Sequence, residues 1–250
     1  MKPSAERALN WIASSITSDG GLAAYRSHNY LSPSYPEVTG YTIPTLLAYG
    51  ETALARRLAD YLLSIQNTDG SFDILDRSGP AVFDTVACME GLLSIGELTA
   101  AAAASKWATD NLARMVRIGY SIPIYHARSA ALLNLPLTYW SDWRNTHWDR
   151  PLRTHYIAYC MEGLGEQPPI VTLLYHEYYS RDWIRHSTGH SFALGASSQM
   201  ACLADDPAPL VYAISAYQWN DGGIPLTVGD PECWSWTLKY FLDACLKAKD

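Results

Sequence analysis

Six side chains able to give or take a proton fall at or near the starts of segments with helical apolar periodicity: Glu37, Asp84, His126, His155, His190 and Glu232. Carboxylates and imidazoles are the groups enzymes use for general acid/base work, because their affinities for a proton can be tuned to neutral pH. Beside them stand groups suited to holding a polar substrate. Tyr35, Tyr41, Tyr125, Tyr156, Trp234 and Trp236 offer a flat ring with a polar edge, Arg128 and Arg153 can grip a carboxylate, and His186 adds a further donor. Two chemistries fit. Glycoside hydrolysis needs two carboxyl groups about 5 to 9.5 Å apart across the substrate, with Glu37, Asp84 and Glu232 as candidates. Epimerisation or elimination on a uronic acid would instead move the proton through Tyr or His, with Arg128 or Arg153 on the carboxylate.

Each of these residues also has a structural reading. An acid in the first turn of a helix is favoured by the helix dipole by about 0.3 to 1 kcal/mol, which alone accounts for any one of Glu37, Asp84 or Glu232. The argument therefore rests on the coincidence of polar groups at equivalent positions. A purely structural centre is filled more cheaply with Leu and Ala, since a buried ionisable group costs several kcal/mol unless paired. His186 and His190 have the i, i+4 spacing of a metal pair, and His126 or His155 with Glu232 would complete a zinc set. The reading adopted is cofactor-free, with zinc as its competitor.

The elements that must position these groups are helices. Leu54, Leu58, Tyr61, Leu62 and Ile65 mark one helical face that stops at Asp69-Gly70; Leu9, Ile12, Ala13 and Ile16 precede Asp19-Gly20; Val211, Ile214 and Tyr217 precede Asp221-Gly222. The phrase Cys-Met-Glu-Gly-Leu occurs at 88–92 and again at 160–164, 72 residues apart, which is two units of the length expected for helical hairpins. The pattern predicts first helices near 4–17, 54–66, 98–116, 138–147, 169–179 and 207–218. Second helices are expected near 37–49, 84–95, 126–134, 153–164, 188–203 and 232–247. Glu90 and Glu162, inside the repeated phrase, read as partners of buried polar groups between helices. His28, His147 and His176 read as surface or interface residues, and strand signals are confined to loops such as 120–125.

The segments LLSIQNTDGSF, AYQWNDGGI and YPEVTGYTIPTLLAYG resemble the repeats of squalene and hopene cyclases and of protein prenyltransferase β-subunits. The resemblance implies an all-α, (α/α)6 toroid: one domain over 1–250, six inner helices ringed by six outer ones, and a central cavity open at one end. Lanthionine cyclases, glycoside hydrolases, polysaccharide lyases and sugar epimerases share that fold, so it constrains shape more than reaction. The families' catalytic motifs do not carry over. No DxDD is present, Asp230 and Cys233 are one residue too far apart for the prenyltransferase Asp-x-Cys pair, no His follows them, and there is no Cys-His dipeptide.

Composition excludes other classes. A net charge of -7 and the lack of a basic stripe argue against a nucleic-acid surface. No apolar run reaches the ~18 residues of a membrane span, and the N-terminal residues lack the pattern of a signal peptide. Five cysteines without a CxxC suit a reducing, cytoplasmic setting. The expectation is an enzyme of the epimerase, lyase or hydrolase type acting on a polar small molecule, a sugar or glycan-like substrate. The alternatives are a terpenoid or isoprenoid cyclase with a different acid, and a non-catalytic binding module.

Overall fold

The computed structural model describes residues 3–76, 78–120, 122–142, 154–166 and 194–248. The described residues are mostly helical: α1 (Pro3–Ser14), α2 (Pro36–Ala48), α3 (Thr52–Ile65), α4 (Val82–Ser94), α5 (Leu98–Arg117), α6 (His126–Leu132), α7 (Thr154–Leu164), α8 (Leu194–Leu203), α9 (Ala208–Ser215) and α10 (Ser235–Lys247). Short extended pieces β1 (Tyr25–Ser27), β2 (Tyr30–Leu31) and β3 (Cys233–Trp234) complete the list, with β1 and β2 antiparallel in the register Arg26 to Leu31 and Ser27 to Tyr30. Among the described residues no helix is long and apolar enough to cross a membrane.

The chain groups into two compact units. The first comprises Met1–Trp11, Ile124–Arg128 and Pro136–Asp250, the second Ile12–Pro123 and Ser129–Leu135. Two of the boundaries fall inside α1 and α6, not in linkers.

In the second unit, α2 packs on α3 and α4, and α4 on α5. Helices α3 and α5 bury one stripe each, Ala55, Leu58, Ala59, Tyr61 and Leu62 in α3 and Ala101, Ala104, Ala108 and Leu112 in α5. Helices α2 and α4 are buried on most sides. The difference matches the expected division into first and second helices of each pair. The crossing of α2 with α4 is unusually close. Pro44 has no N–H, so the Gly40 carbonyl lacks its i+4 donor. That carbonyl abuts Gly91, where an added β-carbon would lie 2.3 Å from its oxygen. The second copy of the repeated phrase does the same in the first unit, where a β-carbon at Gly163 would lie 2.3 Å from the Ala127 carbonyl carbon of α6.

Three turns share one hydrogen-bond pattern. The carboxylates of Asp19, Asp69 and Asp221 accept from the N–H of Gly21, Ser71 and Gly223. The N–H groups of Thr17, Asn67 and Trp219 donate to the carbonyls of the same three residues. Two of the turns carry glutamine. Gln66 Nε2 donates to the carbonyls of Gly70 and of Ala100 in α5, both at 3.0 Å. Gln218 Nε2 donates to those of Gly222 and of Ser4 in α1, both at 2.9 Å. The last turn thus holds the first helix as an earlier turn holds the helix that follows it.

The expected second helices are found within about two residues at 37–49, 84–95, 126–134 and 153–164. The last one, expected over 232–247, starts at Ser235. Ile224 N–H donates to Cys233 Sγ at 3.0 Å, the Cys233 thiol donates to the Ile224 carbonyl, and Glu232 N–H donates to Asp230 Oδ1. These contacts keep 232–234 extended. A first helix expected over 138–147 is also corrected: residues 138–142 form turns. The rest of that stretch, the helix expected at 169–179, His147, His176 and the start of 188–203 lie outside the described residues. The loop 120–125 holds no strand among its described residues.

Gly222 and Gly229 separate backbone conformation from packing. Both have positive φ, +99° and +87°, but a β-carbon at Gly222 would come within 2.0 Å of the Arg7 carbonyl oxygen, whereas Gly229 has nothing within 4 Å. Gly229→Ala is expected to cost about 1 to 2 kcal/mol, the conformational term alone. Gly222→Ala should cost at least ~3 kcal/mol, because overpacking adds to it. Urea denaturation of the two variants checks the difference.

Candidate functional site

In the second unit the starts of α2 and α4 bring Glu37 and Asp84 to one tyrosine. Tyr35 is the N-cap of α2 in an extended conformation, Pro36 follows at the first helical position, and Glu37 lies in the first turn. Asp84 is in the first turn of α4, a helix whose N-cap, Ala81, offers no side-chain cap. The close crossing at Gly40 and Gly91 brings these starts together, and the Cys88 thiol fixes them by donating to the Pro36 carbonyl at 3.2 Å.

The Tyr35 side chain lies close to both Glu37 and Asp84, and the two carboxyls act together on its phenol. Asp84 is the carboxyl suited to carry a proton: it is 5% exposed, its Oδ1 has no hydrogen-bond partner among the described residues, and burial pushes its pKa up to about 6 against the opposing pull of Tyr35 and of its own backbone N–H. Burial, then the charges of Glu37 and Asp84, push the Tyr35 phenol far up, so it stays neutral. Burial, then Asp84 and Glu37, also raise the Cys88 thiol. The result is a cluster of one phenol and two carboxyls, Tyr35, Glu37 and Asp84, with Tyr35 and Glu37 half-buried and Asp84 buried. Tyr41 is fully buried one turn further into α2.

The first unit holds a different assembly. Tyr125 lies 4.6 Å from the His126 ring and 4.9 Å from Tyr156, His155 lies 4.3 Å from Tyr156 and 5.6 Å from Trp236, and Tyr159 meets Tyr240 at 6.0 Å. His126 is buried with Nδ1 lacking a partner, and burial lowers its pKa to about 4, so the ring is neutral. Arg128 is also buried, and its Nε donates to Glu162 at 2.8 Å. This is the structural pairing expected of the glutamate in the repeated phrase.

Glu232 lies half-buried in the loop before α10, not in its first turn, and Trp234 is the N-cap of that helix. Arg153, His186 and His190 lie outside the described residues. Among the described residues no group of three or more His, Cys, Asp or Glu side chains is arranged to hold a metal ion; the zinc set weighed as a competitor depended on His186 and His190. Gln199 and Thr237 were not singled out by spacing. Both are buried with side-chain polar atoms that lack partners, and a polar residue in an otherwise small and apolar helix, LGASSQMACL, was the available signal.

No protein-family model and no curated protein matches the chain. Among solved structures the chain is similar to one described as a novel alpha-amylase from Clostridium perfringens, with a TM-score of 0.63 and 11% identical residues over 98% of this chain and 97% of that one. At that identity the likeness is one of fold.

Asp84 and His126 should pull the pH dependence of stability in opposite directions. The folded pKa of Asp84 is raised, from 3.8 to about 6, so its contribution favours folding at low pH and is lost as pH rises between those values. That of His126 is lowered, from 6.5 to about 4, so its contribution is present above 6.5 and is lost as pH falls towards 4. Asp84→Asn is expected to leave a chain that gains stability from pH 4 to 6.5, and His126→Phe one that loses it from pH 4 to 6. Denaturant midpoints across that range give the two slopes.

Proposed function

We propose that the protein is an enzyme that acts on a hydroxylated, carbohydrate-like small molecule by proton transfer, without an organic cofactor. The observation that carries this is the cluster of one phenol with two carboxyls, one of them buried and raised to about 6. A general acid works best with a pKa near the working pH, and burial gives Asp84 that property while Glu37, nearer solvent, serves as the counterpart carboxylate.

The hydrolase reading is preferred to the epimerase and lyase readings because the uronate-binding role assigned to Arg128 is weakened: its Nε is paired with Glu162. The fold likeness to a solved structure described as an alpha-amylase points the same way. The (α/α)6 toroid is part of the proposal, supported by the equivalent reach of Gln66 to α5 and of Gln218 back to α1. The buried free thiols of Cys88, Cys160, Cys233 and Cys245 support a reducing, cytoplasmic setting.

A second reading, an isoprenoid cyclase, draws on the same buried acid, since alkene protonation needs a carboxyl kept neutral, and on the two glutamine-bearing turns. The test is turnover of starch, β-glucans, xylan, galactan and polygalacturonate, followed by reducing-sugar release, beside farnesyl diphosphate and squalene followed by product chromatography. Sugar release is expected, falling 10²- to 10⁴-fold in Asp84→Asn and Glu37→Gln and at least ~10-fold in Tyr35→Phe with an altered pH profile. Wild-type rates in all three variants, or products from the isoprenoids alone, would sink the carbohydrate reading.

A further inference from the structure

We infer that the first unit contains a binding site for the ring of an uncharged sugar, with Gln199 and Thr237 as its polar floor and His155, Tyr156 and Trp236 as its aromatic wall. The choice of ligand class rests on the carbohydrate reading above; the site itself does not.

The register of three helices defines the place. Helix α8 packs on both α7 and α10. A β-carbon at Gly195 would lie 2.6 Å from Trp236 Cη2 and 2.9 Å from Thr237 Oγ1, so this face of α8 is pressed on the first turn of α10. Two turns further on, the Cys202 thiol donates to the Tyr240 carbonyl at 3.2 Å. Gln199 is on the same stripe between them, four residues after Gly195 and three before Cys202. Helical side chains lean towards the N-terminus, which carries the Gln199 amide back towards the level of Trp236 and Thr237. The rings of His155 and Trp236, 5.6 Å apart, stand at that level with Tyr156 beside them, all three partly exposed, and Tyr159 and Tyr240 meet one turn deeper.

The unusual feature is the floor. Gln199 is 1% exposed and, among the described residues, neither atom of its amide has a hydrogen-bond partner; Thr237 is 0% exposed and its Oγ1 likewise has none. A buried polar group left unpaired is a net cost to folding, and an apolar residue of the same shape would remove that cost. Such groups are intelligible when a bound molecule supplies the missing partners. An amide offers donors and an acceptor and a hydroxyl offers both, which suits vicinal hydroxyls, while aromatic planes accept the C–H face of a sugar ring.

Charge selects against an anion. Arg128 is paired with Glu162, and Lys239 is paired with Asp243 at 2.8 Å and lies over the Tyr240 ring at 3.9 Å. An anionic ligand held by either of these two cations would have to break its pair.

The test is calorimetric titration of the full chain with maltohexaose, cellohexaose and xylohexaose, with tri-galacturonate as the acidic comparison, alongside thermal melts without ligand. The expected result is binding of at least one neutral hexaose in preference to tri-galacturonate. Gln199→Leu should weaken it at least tenfold while leaving the unliganded melting temperature unchanged or raised, and Trp236→Ala should weaken it similarly. The inference is overturned if no neutral hexaose binds, if the acidic sugar binds more tightly, if Gln199→Leu binds as wild type, or if Gln199→Leu lowers the melting temperature. Asp84→Asn separates the two claims: it should bind the hexaose as wild type does but not turn it over. Undiminished turnover by that variant would remove the catalytic reading and leave the binding site standing.

Discussion

Two helices can bring the side chains of their first turns together only if their axes come close together just beyond, and in this protein that closeness depends on glycine. Gly40 and Gly91 let the backbones of α2 and α4 meet at a separation that leaves no room for a β-carbon. Pro44 contributes by depriving the Gly40 carbonyl of its helical donor, so that the carbonyl faces the neighbouring helix at the crossing. The Cys88 thiol on the Pro36 carbonyl is a second clasp close to the carboxylates. Without this crossing, Glu37 and Asp84 would be two ordinary first-turn acids. With it they converge on one phenol, and the burial that convergence entails is what holds Asp84 near neutrality.

The helical hairpins were legible because their signals are local. Apolar stripes separated by three or four residues, Asp-Gly stops and a repeated pentapeptide each depend on a few neighbouring residues. The helices they indicated at 54–66, 98–116 and 153–164 form within about two residues of expectation. The start of α10 was not legible, because what delays it is a bond between Ile224 and the thiol of Cys233, and nothing about a cysteine in an apolar run announces a sulfur acting as both acceptor and donor. The turns at 138–142 were missed for the opposite reason: the periodicity of that stretch is satisfied by packing Trp140 into the core, and no helix is required for that.

The chemistry was legible only as a set of positions. Helix starts indicated Glu37, Tyr35 and Asp84 as candidates, but their convergence is a tertiary fact. So is the partner of Arg128: a guanidinium that looked available for a substrate carboxylate is held by Glu162, 34 residues on. Gln199 and Thr237 were invisible for a related reason, since an unsatisfied polar group is defined by what does not surround it, and surroundings are not written in a linear pattern.

The repeated phrase shows how one crossing serves two purposes. Seven residues before its glycine the first copy has Asp84 and the second has Tyr156. Both glycines sit against a neighbouring backbone, Gly91 on Gly40 and Gly163 on Ala127, so the two positions are equivalent in their own hairpins. In one unit that position carries an acid whose proton affinity is set by burial. In the other it carries a ring that packs against Tyr125 at 4.9 Å and His155 at 4.3 Å. A close crossing fixes where a side chain stands without fixing what it is, provided the glycine seven residues later is kept. A repeat of such a hairpin therefore supplies a second position already placed at a helix start, and a change of one residue type turns it from a buried acid to a ring contact.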